Sequence, residues 1–159
     1  MRMINIVIAS AMLAVVGCAS ATTKVLVPAA GVTKSASLQI EHGTDTVSVE
    51  EEFISYFRNQ LAENLYAAGG FADAAGMTLR YRFIQVDEGS RFSRYMLGPI
   101  AGKGTMAIEI VYLDSAGAEI SRVETGGEIS GGLFGGSFKS ALKKAAKETA
   151  EYARANYLP

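Results

Sequence analysis

The chain has 159 residues and a formal net charge of −1, from 15 lysine and arginine residues against 16 aspartate and glutamate residues. This balance gives no electrostatic basis for nucleic-acid binding, which requires a basic surface. The sequence contains one histidine, one cysteine and no tryptophan. A metal site of imidazole and thiolate ligands is therefore excluded, as is a disulfide within the chain, and we predict no cofactor.

The first 18 residues have the pattern of an export signal. A cationic start at Arg2 precedes an apolar run over 4–16, and the segment closes on Gly17 and Cys18. This pattern predicts a signal peptide over residues 1–17, because the apolar run is too short for an ordinary membrane-spanning helix. The alternative is a buried N-terminal helix in which Cys18 is only a small apolar residue.

Residues 15–18, Val-Val-Gly-Cys, resemble the lipobox of bacterial lipoproteins. The resemblance implies that Cys18 becomes the new N-terminus and carries a diacylglyceryl group with fatty acyl chains such as palmitate. Ala19 follows the cysteine where an aspartate would favour retention in the inner membrane. The resemblance therefore implies a lipid-anchored protein on the periplasmic face of the outer membrane.

Three regions follow from this reading: a signal peptide over 1–17, a lipid-anchored tether over 18–34 and one domain over 35–159. Removing the first 17 of the 159 residues leaves 142, which fits a single domain with a sizeable core. The tether is rich in small residues and threonines, and its only apolar nucleus is the run over 25–27.

The domain begins with a strand and a helix. Residues 35–41 alternate apolar and polar side chains, which predicts a half-buried strand. Ser48 and Glu51 have the spacing of a capping box, and Gly69 with Gly70 is a typical helix end. These signals predict a helix over 49–68 whose apolar stripe recurs at steps of three or four residues and includes Phe53, Phe57, Leu61 and Leu65.

Three strands and a closing helix follow. Alternation over 77–83 and 104–114 predicts two strands, and a turn over 114–117 leads to a weaker edge strand over 118–125. Helical spacing from Phe138 to Tyr157 predicts the last element. Each strand has one apolar face, so we expect an α+β two-layer sandwich in the order β-α-β-β-β-α, with both helices on one face of a mostly antiparallel four-stranded sheet.

The long connection over 87–103 is the first candidate contact surface. It combines cationic and aromatic side chains that suit a phosphate, a carboxylate or an anionic glycan through charge-assisted hydrogen bonds. The residues are Arg91, Phe92, Arg94, Tyr95 and Lys103. The alternative is an ordinary surface loop whose aromatic side chains close the end of the core.

Two further segments have unusual composition. Residues 126–136 hold closely spaced glycines, which indicates a sharply bent loop lying against a neighbouring element. The first half of the last helix carries Lys139, Lys143, Lys144 and Lys147. This basic face either meets an anionic partner, such as lipid headgroups or a cell-wall polymer, or is simply solvated.

Catalytic residues are scarce. His42 is the only histidine and lies in a predicted turn, and the acidic residues 50–52 complement a helix N-terminus. We therefore predict that the protein is not an enzyme.

The motifs AGKG at 101–104 and GGLFGG at 131–136, followed by an Ala- and Lys-rich helix, resemble a family of bacterial outer-membrane lipoproteins with a domain of unknown function. The resemblance implies an envelope location and no particular activity. We expect a non-enzymatic accessory or binding subunit of an envelope assembly for transport, secretion or cell-wall synthesis, with an envelope protein as partner. The alternative is a lipoprotein that binds a small anionic ligand or glycan. The oligomeric state is left open.

Overall fold

The structure, a computed structural model, describes residues 22–29, 34–87, 104–129 and 138–159. These parts of the chain form five strands and two long helices. In chain order they are β1 (Thr22–Val27), β2 (Ser37–His42), α1 (Glu51–Ala62), β3 (Ala72–Asp87), β4 (Gly104–Leu113), β5 (Glu119–Ile129) and α2 (Phe138–Tyr157).

The strands form one mixed sheet in the order β1-β5-β4-β3-β2. β2 runs parallel to β3, and the other three neighbouring pairs are antiparallel. The prediction of a four-stranded sheet is therefore wrong by one strand. The additional strand β1 lies within the segment predicted as a tether, and its run of three apolar residues lacks the alternation that identifies a strand from sequence.

The α+β class with two helices is confirmed. Both helices pack against each other and against one face of the sheet, and their buried side chains share a single core with the inward residues of the strands. From the helices the core takes Phe57, Leu61, Leu65, Leu142, Ala146 and Tyr157, and from the strands it takes Leu38, Leu79, Tyr81, Phe83, Ile108, Ile110, Tyr112 and Val123. The apolar stripes predicted for the helices are the faces that point inward.

Helix α1 begins two residues later than predicted. Glu50 is its N-cap residue, with no side-chain cap hydrogen bond, and its carbonyl oxygen accepts the backbone N–H of Phe53 at 2.9 Å. The predicted capping box of Ser48 and Glu51 is therefore wrong, since Glu51 is already the first helical residue. Glu51 and Glu52 instead place negative charge in the first turn, where the helix dipole favours it.

The end of α1 widens into a π-helical turn over Glu63–Ala67. The backbone N–H of Ala68 donates to the carbonyl of Glu63 at 3.2 Å, five residues earlier. Gly70 then takes a φ of 83°, which a residue with a side chain rarely adopts. The predicted stop at the glycine pair is confirmed.

Strand β5 contains the start of the glycine-rich segment. Gly126 lies in the strand, where a Cβ atom would come within 2.3 Å of the carbonyl oxygen of Met106 on β4. The expected close approach of backbone to a neighbouring element therefore occurs, but within the sheet rather than in a loop. Residues 130–136 lie outside the described part of the chain.

Two buried tyrosines of the core differ in how their hydroxyl groups are satisfied. The Tyr112 hydroxyl donates to the carbonyl of Thr149 on α2 at 3.1 Å. The Tyr81 hydroxyl is buried and has no hydrogen-bond partner among the described residues. Burial raises the pKa of Tyr81 to about 12, because the charged phenolate would lose its solvation in the core.

Because of this difference, we predict that replacing tyrosine by phenylalanine changes the free energy of unfolding differently at Tyr112 and at Tyr81. Tyr112→Phe should lower the free energy of unfolding by about 1 kcal/mol, because the Thr149 carbonyl loses its buried donor. Tyr81→Phe should leave the free energy of unfolding unchanged or raise it, because it removes an unsatisfied hydroxyl. Urea unfolding followed by circular dichroism measures both, and equal losses in the two variants would contradict the assignment.

Candidate functional site

The predicted contact residues Arg91, Phe92, Arg94, Tyr95 and Lys103 and the predicted lipid-attachment residue Cys18 lie outside the described part of the chain. The strands that flank them are described. The strand register shows that three residue pairs lie at the same end of the sheet: Thr22 opposite Gly126, Asp87 opposite Thr105, and Gly104 opposite Ile129. The segment over 88–103 thus leaves and re-enters the sheet at the end where β1 begins.

The basic half of α2 is partly neutralised by neighbouring acids. Lys139 bonds to Glu52 on α1, and its Nζ lies 5.6 Å from the centre of the Tyr56 ring. The hydrogen bond to Glu52 raises the pKa of Lys139. Lys147 pairs with Glu151 at 3.7 Å. The predicted basic face is therefore a mixed surface rather than a purely cationic one.

The open face of the sheet brings together charged residues from several strands. Because both helices cover one face, the outward side chains of the strands meet water. Arg80 on β3 pairs with Glu41 on β2 at 3.0 Å. A second group, which we call the Glu109 cluster, links β3, β4 and β5 and consists of Arg82, Glu109, Glu119 and Arg122.

Glu109 is the centre of its cluster. Only 8% of the residue is exposed, and its carboxylate accepts a hydrogen bond from Arg82 Nε at 2.7 Å and a longer one from Arg122 Nη1 at 3.5 Å. Arg122 also donates two hydrogen bonds to the Glu119 carboxylate, from Nη2 at 2.6 Å and from Nε at 3.1 Å. The bond to Glu119 raises the pKa of Arg122 above its ordinary value, with the charge of Glu109 adding to the effect.

The sequence places each of these charged residues on a strand but does not show which of them pair. Arg80, Arg82, Glu109 and Arg122 fall on the polar positions of the predicted strands, and the alternation alone assigns them to the wet face. Their pairing depends on the register between strands, because Arg82 lies directly opposite Glu109 in the sheet. The alternation shows which face of the sheet a side chain lies on, but it does not show which residue on the neighbouring strand it pairs with.

A shallow groove of about 700 Å³ runs across this open face, between the Arg80–Glu41 pair and the Glu109 cluster. Its arginines and glutamates already satisfy one another. A ligand that binds here has to exchange these ion pairs for its own, so the surface suits a partner with alternating charges better than a simple anion. The groove therefore gives no specific support to the small anionic ligand considered from the sequence.

His42 borders the groove and holds a loop in place. Its Nε2 atom lies 3.0 Å from both carboxylate oxygens of Asp45, and its ring stacks on Tyr81 with centroids 4.8 Å apart. Asp45 Oδ1 also accepts the backbone N–H of Phe83 at 2.8 Å. The pair fastens the segment after β2 to β3, which is a structural role.

A second groove of about 460 Å³ lies between β2 and α1 and is lined in part by Arg58, Tyr66 and Asp73. Burial and the neighbouring Asp73 carboxylate raise the pKa of Tyr66 to about 12, and the nearby backbone of Ile40 offsets part of this rise. Tyr66 and Ile40 both line this groove, beside the outer edge of β2.

Two further properties concern metal ligands and membrane-spanning helices among the described residues. No group of three or more His, Cys, Asp or Glu side chains within them is arranged to hold a metal ion. None of the helices in the described ranges is long and apolar enough to cross a membrane.

We predict that Glu109 and Glu41, which both lie on the open face of the sheet, contribute differently to the free energy of unfolding. Glu109→Ala should lower the free energy of unfolding by about 1–3 kcal/mol, because the largely buried carboxylate serves two arginines. Glu41→Ala should cost about 0–1 kcal/mol, since the Arg80–Glu41 pair is half exposed and screened by water. Chemical denaturation of both variants provides the comparison, and a larger loss for Glu41→Ala would refute it.

Solved structures that the chain resembles include proteins from two bacteria. The PelC dodecamer from Paraburkholderia phytofirmans is 13% identical with a TM-score of 0.54, and the match covers 88% of this chain and 100% of PelC. A substituted variant of the same PelC dodecamer is 16% identical with a TM-score of 0.50, covering 87% of this chain and 98% of the other. A minor lipoprotein from Acinetobacter baumannii is 15% identical with a TM-score of 0.44, covering 78% and 96%.

The PelC structures, at these identities, establish a shared fold and nothing more. No curated protein matches the chain. Residues 48–132, more than half of the 159 residues, match the family described as a domain of unknown function, DUF4410. The chain therefore belongs to this family.

Proposed function

We propose that the protein is a non-enzymatic lipoprotein, held by Cys18 on the periplasmic face of the outer membrane, that acts as an accessory subunit of an envelope assembly. Its partner is an envelope protein. The sequence supports the anchor through the lipobox resemblance, and the fold supports the accessory role by presenting an open charged sheet face.

The observation that carries the proposal is the short connection between the lipobox and the sheet. Cys18 precedes Thr22, the first residue of β1, by only four positions. Four extended residues span at most about 14 Å. A lipid on Cys18 thus holds the β1 end of the sheet close to the bilayer surface.

The same end of the sheet carries the ends of the predicted contact segment. Asp87 and Gly104 flank residues 88–103, and both lie at the end where Thr22 begins β1. A partner embedded in or lying on the same membrane meets this end first. We therefore retain Arg91, Phe92, Arg94, Tyr95 and Lys103 as the proposed contact residues.

The arrangement of charges favours a binding role over a catalytic one. Glu109, the most buried acid on the open face, is engaged by Arg82 and Arg122, and Asp45 is engaged by His42 and a backbone N–H. Groups bound in this way hold the sheet together and are not poised to exchange protons with a substrate.

Self-association is the second part of the proposal. The PelC structures that share the fold are dodecamers. This supports the inference that the present chain also assembles with copies of itself, so that one assembly presents several open sheet faces and several anchors. Each added anchor strengthens attachment to the same membrane.

The anchor is tested by substitution at the lipobox. Cys18→Ser should abolish lipid attachment and leave the protein unprocessed or soluble, whereas Ala19→Asp should keep the lipid and move the protein to the inner membrane. Membrane fractionation on a density gradient, with metabolic labelling by radioactive palmitate, measures both changes. A Cys18→Ser protein of mature length that remains in the outer membrane would refute the anchor.

The contact segment is tested by charge reversal. Arg91→Glu, Arg94→Glu and Lys103→Glu together should remove at least one partner captured by crosslinking in living cells, because each charge-assisted contact becomes a repulsion. The matched control reverses Lys34 and Arg154 to glutamate, away from the anchored end. An unchanged set of partners in the triple variant, or the same loss in the control, would overturn the assignment.

A further inference from the structure

Strand β1 is an edge of the sheet with an unusual surface. It pairs with β5 on one side, and no other strand of the described sheet adjoins it. Val25, Leu26 and Val27 are 47%, 40% and 41% exposed, and they are the only large apolar residues in the described parts of the chain that are classed as exposed. Apolar surface and an unpaired strand edge therefore coincide in one element.

An edge of this kind recruits another strand. The outward N–H and C=O groups of an edge strand form a template for pairing, and natural proteins usually protect such edges with charges, bulges or covering elements. β1 has a register shift between Val25 and Val27 and a single lysine, Lys24, which lies opposite Glu124 on β5. These features do not cover the apolar run.

The opposite edge of the sheet, β2, is less accessible. Along it lie Arg58, Asn59 and Ala62 of α1, which line the second groove. Tyr66 lines the same groove, beside Ile40 at the centre of the strand. Of the two edges in the described sheet, β1 is therefore the one open to a new strand.

We infer that β1 pairs edge to edge with β1 of a second copy of this chain. The inference rests on the proposed self-association and assigns a surface to it. A twofold axis perpendicular to the sheet makes the two β1 strands antiparallel, the more stable arrangement, and keeps all four helices on one face. The Thr22 ends of the two strands then lie on opposite sides of the axis, so both Cys18 anchors reach one bilayer when the axis lies along the membrane normal. The two five-stranded sheets then join into one continuous sheet.

The charge of Lys24 selects the register. Directly opposite like charges destabilise a strand pair, so the axis does not pass through Lys24. An axis through Val25 places Lys24 of each copy opposite the partner's Leu26 and brings the apolar side chains to the centre. In this register the two Val25 side chains face each other across the axis.

Disulfide trapping tests this pairing in the intact lipoprotein. With Cys18 blocked by its lipid, Val25→Cys supplies the one free thiol, and residues directly opposite in a strand pair come close enough for a disulfide. We expect Val25→Cys to form a covalent dimer at least tenfold faster than Lys34→Cys or Gln39→Cys, which report random collisions and the β2 edge. The wild-type chain controls for Cys18.

A disruptive variant provides the second measurement. Leu26→Lys places a lysine directly opposite the partner's Lys24 at two points of the joined edge, and this like-charge repulsion should raise the dissociation constant of the pair at least tenfold in native mass spectrometry. Ala116→Lys in the exposed turn is the matched control. Circular dichroism confirms that each variant keeps its fold.

The outcomes separate the two levels of the proposal. A wild-type chain that is monomeric at all concentrations overturns both self-association and the β1 pairing. An oligomer that does not trap at Val25 and keeps its mass in the Leu26→Lys variant overturns only the β1 pairing. Trapping that requires Val25→Cys in one copy and Gln39→Cys in the other shows a β1-to-β2 contact and also overturns it.

Discussion

The packing of both helices on the same face of the sheet is the constraint on which the rest of the structure depends. It gives each strand a dry side and a wet side, and it concentrates the aromatic and aliphatic side chains in one core. The helices contact each other as well as the sheet, so neither can move to the other face without exposing its apolar stripe. No second layer of described residues covers the opposite face, so its side chains have to be stable in contact with water.

The open face meets this requirement with charge pairs rather than with a cover. Glu109 is almost fully buried only because long arginine side chains from the neighbouring strands lie over it. The aliphatic stems of Arg82 and Arg122 shield the sheet while their guanidinium groups bind the carboxylate. The cluster thus shields part of the wet face and fixes the relative positions of β3, β4 and β5.

Much of this fold was predictable from the sequence because the signals are periodic. The apolar stripe with Phe57, Leu61 and Leu65 predicts a helix against the core, and the alternation around Tyr81 and Ile110 predicts strands with one buried face. Strand β1 was missed because three adjacent apolar residues fit neither period, and its strand form depends on pairing with β5.

The candidate surfaces were harder to predict than the fold. The cross-strand partners of Glu109 depend on the register between the strands. The position of the α1 N-cap at Glu50 rather than Ser48 depends on the path of the loop after His42. The π turn over Glu63–Ala67 has no sequence signature comparable to a glycine or a proline. These features arise from tertiary packing, which overrides local preference.

The pairing of β1 with β5 also sets an order of folding. Thr22 lies opposite Gly126, 104 positions later, whereas β3, β4 and β5 follow one another along the chain. Contacts between distant residues form after local ones, because a long loop has to close first. The consecutive strands and the helices can therefore assemble while β1 is still unpaired, and β1 joins the sheet last.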